Sequence, residues 1–402
     1  MSSPVITSTR GATASLALAA VVMTALNLRT AVTGFSPLLE TIGADLGFGP
    51  ALYGAFGTIV TASFAVFGFV ASAAARRLGL ERTLAAATLV TTAGLILRAL
   101  SPAPLALVLS SVVALAGVGM SNVLIIPIVK RYFADRLRAV SSLYLALLQV
   151  GQFVAPLVAV PLAQSLGWRS AVGGWALLTA TACLLWLALA TRETATTAPA
   201  AHAERLTGAW RTPLLWAMVL LLGMTALNTY AVITWLPTIL VDAGADPALG
   251  GALLALFSIF GLGAAFVVPP LTLGMRNPVV IVVVCVALLA VGYLGLLVAP
   301  LEGAVAWVVC LGLGVSTFPL TLTLVNARTR TTAGSSVLSG ATQGLGYALA
   351  CAGPLVIGLL YEAQGGWGGA SVFLLASLVV LLVSGIVACR PRFLEDEASR
   401  RG

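Results

Sequence analysis

Apolar runs of about 20 residues recur along the whole 402-residue chain, parted by short polar or Gly/Pro-rich segments. A helix rises 1.5 Å per residue, so one such run spans the hydrocarbon core of a bilayer. The pattern predicts about twelve spans, over residues 13–41, 50–75, 83–101, 105–129, 139–165, 171–191, 213–240, 248–272, 278–299, 304–326, 334–361 and 370–389. The longest polar connection, TRETATTAPAAHAERLTGAWRT from Thr191 to Thr212, falls at mid-chain and reads as a linker. The expected plan is therefore an all-α membrane protein of two six-helix bundles. These cover 1–191 and 213–390, with a cytoplasmic linker at 192–212 and a cytoplasmic tail at 391–402.

Charge then orients the spans. Of the 21 Lys and Arg, 18 fall in alternate connections and termini, two (Arg98 and Arg169) on the opposite side, and one, Arg29, inside a span. Basic residues accumulate in cytoplasmic segments, so both termini are expected inside. Arg98 is about a turn from Pro102, and its stem is expected to snorkel outward.

Composition narrows the class. The chain is 60% hydrophobic and 8% charged, with a mean hydropathy of +1.07, far from soluble proteins with about 25% charge. The net charge of +8 thus records topology and does not imply a nucleic-acid partner. Cys183, Cys285, Cys310, Cys351 and Cys389 sit in or at the ends of apolar runs and read as small buried hydrophobes. The single histidine, His202, stands in the linker. With no His/Cys/Asp/Glu cluster in the sequence, no cofactor or metal is expected. The first apolar run reads as a true span, not a cleaved leader.

The two halves repeat each other. TALN at Thr24 recurs at Thr225, an offset of 201, and Gly43-Ala44-Asp45 matches Gly244-Ala245-Asp246 at the same offset. Gly117, Gly119 and Ser121 echo Gly312, Gly314 and Ser316. Ser141, Ser142 and Gln149 echo Ser335, Ser336 and Gln343, and Gly167-Trp168 echoes Gly366-Trp367. Six spans repeated in one orientation resemble the plan of the major facilitator superfamily, in which substrate binds near the midplane between the halves.

Candidate chemistry follows from depth and helical face. Arg29 lies about 20 Å from either end of its run, too deep to snorkel, and a charge there marks a ligand or ion path by default. Arg29, Thr33, Ser36 and Glu40 follow at steps of four, three and four, so they share one face. Tyr230, Thr234, Trp235 and Pro237 stand in span 7; Gln149, Gln152 and Phe153 in span 5; Gln343 and Tyr347 in span 11; and Asn122 in span 4. One reading is a cavity in which Arg29 holds a small planar anion by its bidentate fork. Thr33, Asn122, Gln149, Gln152 and Gln343 then supply polar groups, while Tyr230, Trp235 and Tyr347 enclose the ligand. The other readings tie Arg29 to helix-end carbonyls or Glu40, and turn Trp235 outward as a belt residue. Asn27 and Asn228 read as interhelical hydrogen-bonders. Pro37, Pro127, Pro156, Pro237, Pro319 and Pro354 read as kinks.

Several motifs resemble one family. ARRLGLER, from Ala75, is a degenerate form of the superfamily's basic loop, with Arg76 where an acid is usual and Gly79 for the turn. LNLRTAVTGFSPLL at Leu26, SNVLIIPIVKRYF at Ser121, YAVITWLPTIL at Tyr230 and SGATQGLGYALACAGPL at Ser339 are more specific. With FPL at Phe318 and GGW at Gly365, they resemble the cyanate/nitroimidazole permease family (CynX/NimT) over most of the chain. Thr30 replaces a frequent Pro and Ser121 a frequent Gly. The resemblance implies a monomeric secondary transporter, a permease for small solutes such as cyanate-like anions or nitroimidazole-like compounds, in a bacterial-type inner membrane. Its partners would be the solute and membrane lipid.

No Asp or Glu lies at mid-membrane. An anion entering against a negative interior pays about 2.3 kcal/mol per charge per 100 mV, so uptake needs a proton or another cation, or consumption of the solute inside. Glu40 is the expected coupling or gating residue, with Glu362 as alternative and the proton as coupling ion, in symport. Two rivals stand beside this reading. One is a proton-coupled efflux carrier for drug-like compounds on the same fold. The other is a non-transporting sensor, for which neither linker nor tail offers an output domain. No nucleophile–base pair or metal set supports an enzyme.

Overall fold

The computed structural model describes residues 5–191 and 208–399. Most of the expected linker, with His202, lies outside them. The helices are α1 (Val5–Thr33), α2 (Leu39–Leu46), α3 (Pro50–Leu78), α4 (Leu80–Ala99), α5 (Pro104–Tyr132), α6 (Leu137–Leu166), α7 (Trp168–Gly173), α8 (Ala176–Ala190) and α9 (Pro213–Asp242). They continue as α10 (Pro247–Gly274), α11 (Val279–Val298), α12 (Ala304–Gly314), α13 (Thr317–Ala327), α14 (Thr332–Ala350), α15 (Ala352–Gln364), α16 (Gly368–Ala388) and α17 (Leu394–Ser399). Among the described residues there is no strand, and 12 spans are long and apolar enough to cross a membrane. Most are single helices, as hydropathy leads one to expect, α5 and α9 among them. Others are broken, as at α1–α2, α7–α8, α12–α13 and α14–α15.

The chain forms two compact units. Met1–Gly47 and Val66–Ala200 make the first; Phe48–Ala65 and Ala201–Gly402 make the second. This differs from a boundary at the linker alone, because the first half of α3 groups with the second unit. There Thr58 Oγ1 donates to the Cys351 carbonyl at 3.0 Å, and Thr61 Oγ1 lies 3.2 Å from Cys351 Sγ.

In the first unit α1 packs on α6, α8 and α5, and α4 on α5 and α8. The close approaches need glycine. A Cβ on Gly117 would collide with the Ala87 carbonyl, and one on Gly151 with the Leu26 carbonyl. Small residues at such seams let helices meet by van der Waals contact where lipid offers no hydrophobic drive. Trp186 Nε1 donates to Thr24 Oγ1 at 2.9 Å, and Thr92 Oγ1 to Thr179 Oγ1 at 2.8 Å. At the basic end Gly79 adopts φ 88°, as its turn requires. Glu81, 5% exposed, supplies the acid that the basic loop lacks at Arg76. It accepts from Arg131 Nη1 at 3.4 Å and from Tyr132 Oη at 3.1 Å.

Span 1 breaks where Pro37 reads as a kink. It stops at Thr33, turns, makes a 3-10 turn over Ser36–Leu38 and resumes as α2. Pro37 has no N–H for the Thr33 carbonyl and disfavours helix at Ser36. The Phe35 N–H bonds Val32 O at 3.3 Å, which leaves the Ala31 carbonyl without its helical donor. Arg98 supplies one, Nη1 to Ala31 O at 3.0 Å, with its guanidinium 4.4 Å above the Phe35 ring. Arg98 is 1% exposed. The expectation that it snorkels outward is corrected, because an orphan carbonyl and an aromatic face lie within reach on the inner side.

In the second unit α9 is enclosed by α14, α16, α10, α15 and α13. Asn228 is the interhelical bonder expected. Its Nδ2 donates to Met224 O at 2.8 Å and to Ser377 Oγ of α16 at 3.0 Å, and its Oδ1 accepts from Tyr293 Oη of α11 at 2.7 Å.

The tail is ordered as α17. Leu394 N bonds Arg328 O at 2.9 Å, and Glu395 Oε1 accepts from Arg330 N (3.0 Å), Thr331 N (3.0 Å) and Thr331 Oγ1 (2.9 Å). Glu397 Oε2 accepts from Leu214 N at 3.2 Å, at the start of α9. Partial burial opposes ionisation of Glu395, but these donors outweigh it and hold its carboxyl below the usual range. Arg328 donates to the Ala388 and Cys389 carbonyls at 3.3 and 2.7 Å, where α16 ends.

Candidate functional site

The expected site residues divide between the two units. In the first, Arg29 is half-buried on α1, Asn122 half-buried on α5, and Gln149 half-buried on α6 one turn before buried Gln152. These three helices pack together. Thr33 is wholly buried, and its hydroxyl donates to the Arg29 carbonyl at 3.1 Å, so that donor is spent inside its own helix. The break after Thr33 also undoes the single face expected for Arg29, Thr33, Ser36 and Glu40. Ser36 is buried in the 3-10 turn, and Glu40 is exposed in the first turn of α2, where the helix dipole favours an acid.

In the second unit the structure brings Tyr230 and Tyr347 together and adds Phe64, which the sequence reading missed. The ring centroids are 6.4 Å apart for the two tyrosines, 6.3 Å for Phe64–Tyr230 and 5.7 Å for Phe64–Tyr347. These separations are those of interacting aromatic pairs. Gln343, half-buried one turn before Tyr347, donates to Ser339 Oγ at 2.8 Å and keeps its carbonyl oxygen as an acceptor. Only the unexpected placement of span 2 beside span 11 would have revealed Phe64.

Trp235 belongs to another cluster. It is 1% exposed, its Nε1 donates to the Pro354 carbonyl at 3.0 Å, and its ring meets Trp367 at 5.6 Å and Tyr53 at 6.1 Å. It walls an apolar cavity of about 30 Å³ with Leu236, Tyr293, Leu311 and Ile357. The indole is therefore packed in the interior of the unit and is not turned outward as a belt residue. Glu362 is exposed near the end of α15.

Each unit ties down one aspartate with a device that the sequence reading did not find. Trp168 Nε1 and Arg169 Nη1 both donate to Asp45 Oδ2 at 2.9 Å. Tyr361 Oη and Trp367 Nε1 donate to Asp242 Oδ2 at 2.6 and 3.2 Å. Asp242, not the sequence match Asp246, is thus the counterpart of Asp45. Asp246 instead caps α10, accepting from Ala248 N at 2.7 Å. Among the described residues no group of three or more His, Cys, Asp and Glu could hold a metal.

The profile of the Major Facilitator Superfamily matches residues 17–351. The chain is 30% identical to the 2-nitroimidazole transporter of Escherichia coli (strain K12) over 388 residues, 96% of this chain and 98% of that protein. It is 25% identical to the cyanate transport protein CynX of the same organism over 357 residues, 87% of this chain and 91% of that one. In fold it resembles the crystal structure of a mutant of the nucleoside transporter NupG, with a TM-score of 0.75 at 14% identity, covering 93% of this chain and 99% of that one.

Proposed function

The chain belongs to the Major Facilitator Superfamily and is a multi-pass membrane transporter, not an enzyme, and from that premise we propose that it moves a small anionic or nitrogen-heterocyclic solute by alternating access. The observation that carries this reading is Arg29, a guanidinium half-buried in the middle of an apolar span. Its planar fork suits a small flat anion, and placing a charged group at that depth is costly unless function uses it. The rings of Tyr230, Tyr347 and Phe64 suit the faces of the same class of solute. The relatives named for 2-nitroimidazole and cyanate support it, since both are small, flat and rich in nitrogen. On the first unit Asn122, Gln149 and Gln152 are assigned polar contacts to the solute, and on the second unit Gln343 is. Glu40 is assigned to proton coupling or gating, and the chain is oriented with both termini in the cytoplasm of a bacterial-type cell.

The test is flux in proteoliposomes with labelled cyanate and 2-nitroimidazole, for the native protein and Arg29→Gln. The expected result is saturable flux that the variant loses by at least tenfold, with unchanged insertion and monodispersity. Native affinity in the variant would reject the role of Arg29. Opposite vesicle orientations separate uptake from efflux. A pH dependence of flux unaltered in Glu40→Gln would remove Glu40 from coupling.

A further inference from the structure

Asn27 and Asn228 occupy the same place in the duplicated TALN segment. In the second unit protein groups satisfy the amide, with Ser377 Oγ accepting from Nδ2 and Tyr293 donating to Oδ1. In the first unit Asn27 Oδ1 accepts from Thr30 Oγ1 at 2.9 Å, but Nδ2 has no protein partner among the described residues, although the residue is only 4% exposed. Ser121 Oγ, on a residue 2% exposed, is in the same position. A buried amide donor or hydroxyl left unbonded is costly.

Both groups line one cavity, together with Thr24, Thr88, Thr91 and Thr179. Its volume is about 10 Å³, the room for a single water. The threonine hydroxyls spend their protons on helix carbonyls: Thr24 on Ala20 at 2.7 Å, Thr88 on Leu84 at 2.8 Å and Thr91 on Ala87 at 3.0 Å. Their oxygens keep lone pairs as acceptors, although Thr24 already accepts from Trp186 Nε1. An anion would face those lone pairs. A cation would face the Asn27 N–H groups and add its charge to those of Arg29 and Arg98 in the same unit. A neutral molecule that both accepts and donates fits every wall.

We propose that this cavity binds one water molecule, which accepts from Asn27 Nδ2, bonds Ser121 Oγ and donates to threonine hydroxyl oxygens. It supplies to Asn27 the acceptor that Ser377 supplies to Asn228. The water joins α1 to α5 and α4. Asn27 lies about 200° around α1 from Arg29 at 100° per residue, so the water holds the helix from the side opposite the guanidinium. Ser121 likewise directly precedes Asn122. The water thereby sets the rotation of α1 that presents Arg29. That last consequence rests on the proposed role of Arg29, whereas the water site does not.

The decisive experiment is a density map of the full-length protein at about 2 Å or better. The expected feature is a single peak at hydrogen-bonding distance, about 2.7–3.2 Å, from Asn27 Nδ2 and Ser121 Oγ. No peak beside ordered side chains, or a peak with the short contacts of a metal ion, overturns the proposal. Ser121→Thr provides a second reading. Its added methyl displaces the water and strands Asn27, so the melting temperature falls by several degrees, and by more than in Ser121→Ala. A methyl that merely fills dry space would hold or raise it, which also overturns the proposal. If Ser121→Thr does not fold, Thr88→Val keeps the volume and deletes a lone pair. A fall of several degrees is then expected, and no change counts against the water. In flux assays Ser121→Thr raises KM for the solute with little change in maximal rate. A water seen in density with KM unchanged would remove the link to Arg29 and leave the site intact.

Discussion

In the first unit 21 positions separate Thr24 from Asp45, while in the second only 17 separate Thr225 from Asp242. Yet both aspartates receive the indole N–H of the tryptophan at the start of the last span of their unit. Four residues are about one helical turn. Added to a straight helix they would lift Asp45 by about 6 Å and rotate it by about 40°. The first unit absorbs them in the turn and 3-10 segment between Thr33 and Leu39, whereas α9 runs unbroken over the matching stretch. A broken helix exposes carbonyls, and the first unit answers with a buried guanidinium at Arg98. The corresponding helix of the second unit, α11, carries no charge at all. An inserted turn in one copy of a duplicated bundle thus demands a compensating donor from a neighbouring helix.

The sharpest way to break this comparison is Arg98→Ala. It removes the donor of Ala31 and empties the space beside Phe35, at a cost of about 3–5 kcal/mol. A fall in melting temperature of roughly 10 °C is expected in detergent, since 1 kcal/mol moves a unit of this size by about 2–4 °C. A melting curve like that of the native protein would mean that the break needs no cap. Next comes Asn228→Ala, which strands Tyr293 and Ser377 and costs about 2–3 kcal/mol. Asn27→Ala is expected to cost less, because a water can stay with Ser121. Equal losses in the two copies would erase the distinction between them.

The tail gives a smaller effect with a pH signature. The Glu395 carboxyl is held below its ordinary value of 4.5. Its contribution is therefore fully present above about pH 4.5 and lost as pH falls through the lower folded-state value. Glu395→Gln should lower stability by about 1–2 kcal/mol at pH 7 and by less at pH 3, read from melting temperatures across that range. An equal loss at both pH values would show that the charge does not matter. The smallest effects belong to Trp168→Phe and Trp367→Phe, about 0.5–1 kcal/mol each, because Arg169 and Tyr361 still hold the aspartates. A large difference between the two would mean that the clasps are not equivalent.

Hydropathy alone made the twelve spans and their ends legible, and TALN with the two Gly-Trp pairs made the duplication legible. The kink in span 1 was legible at Pro37, but its extent, a turn and a 3-10 segment between Thr33 and Leu39, was not, because hydropathy has no sense of backbone donors. Arg98 was misread for a related reason. Depth says how far a charge lies from water, not whether an orphan carbonyl lies nearer. Asp45 was matched to Asp246 because a fixed offset cannot follow an inserted turn. Helical spacing named Tyr230 and Tyr347, whose rings the structure brings within 6.4 Å of each other. Phe64 needed the neighbours of span 2, and Trp235 needed the Pro354 carbonyl, both of which are tertiary facts.

The tail helix has a consequence for biosynthesis. Glu395 and Glu397 are translated after α14 and α9, yet they accept from amides at the starts of those helices. The amide groups at Leu214, Arg330 and Thr331 must wait until α17 has been made to meet those carboxylates. A stop codon after Arg390 would yield chains that insert fully and yet fray at two helix starts. Quality-control proteases would find such chains first there.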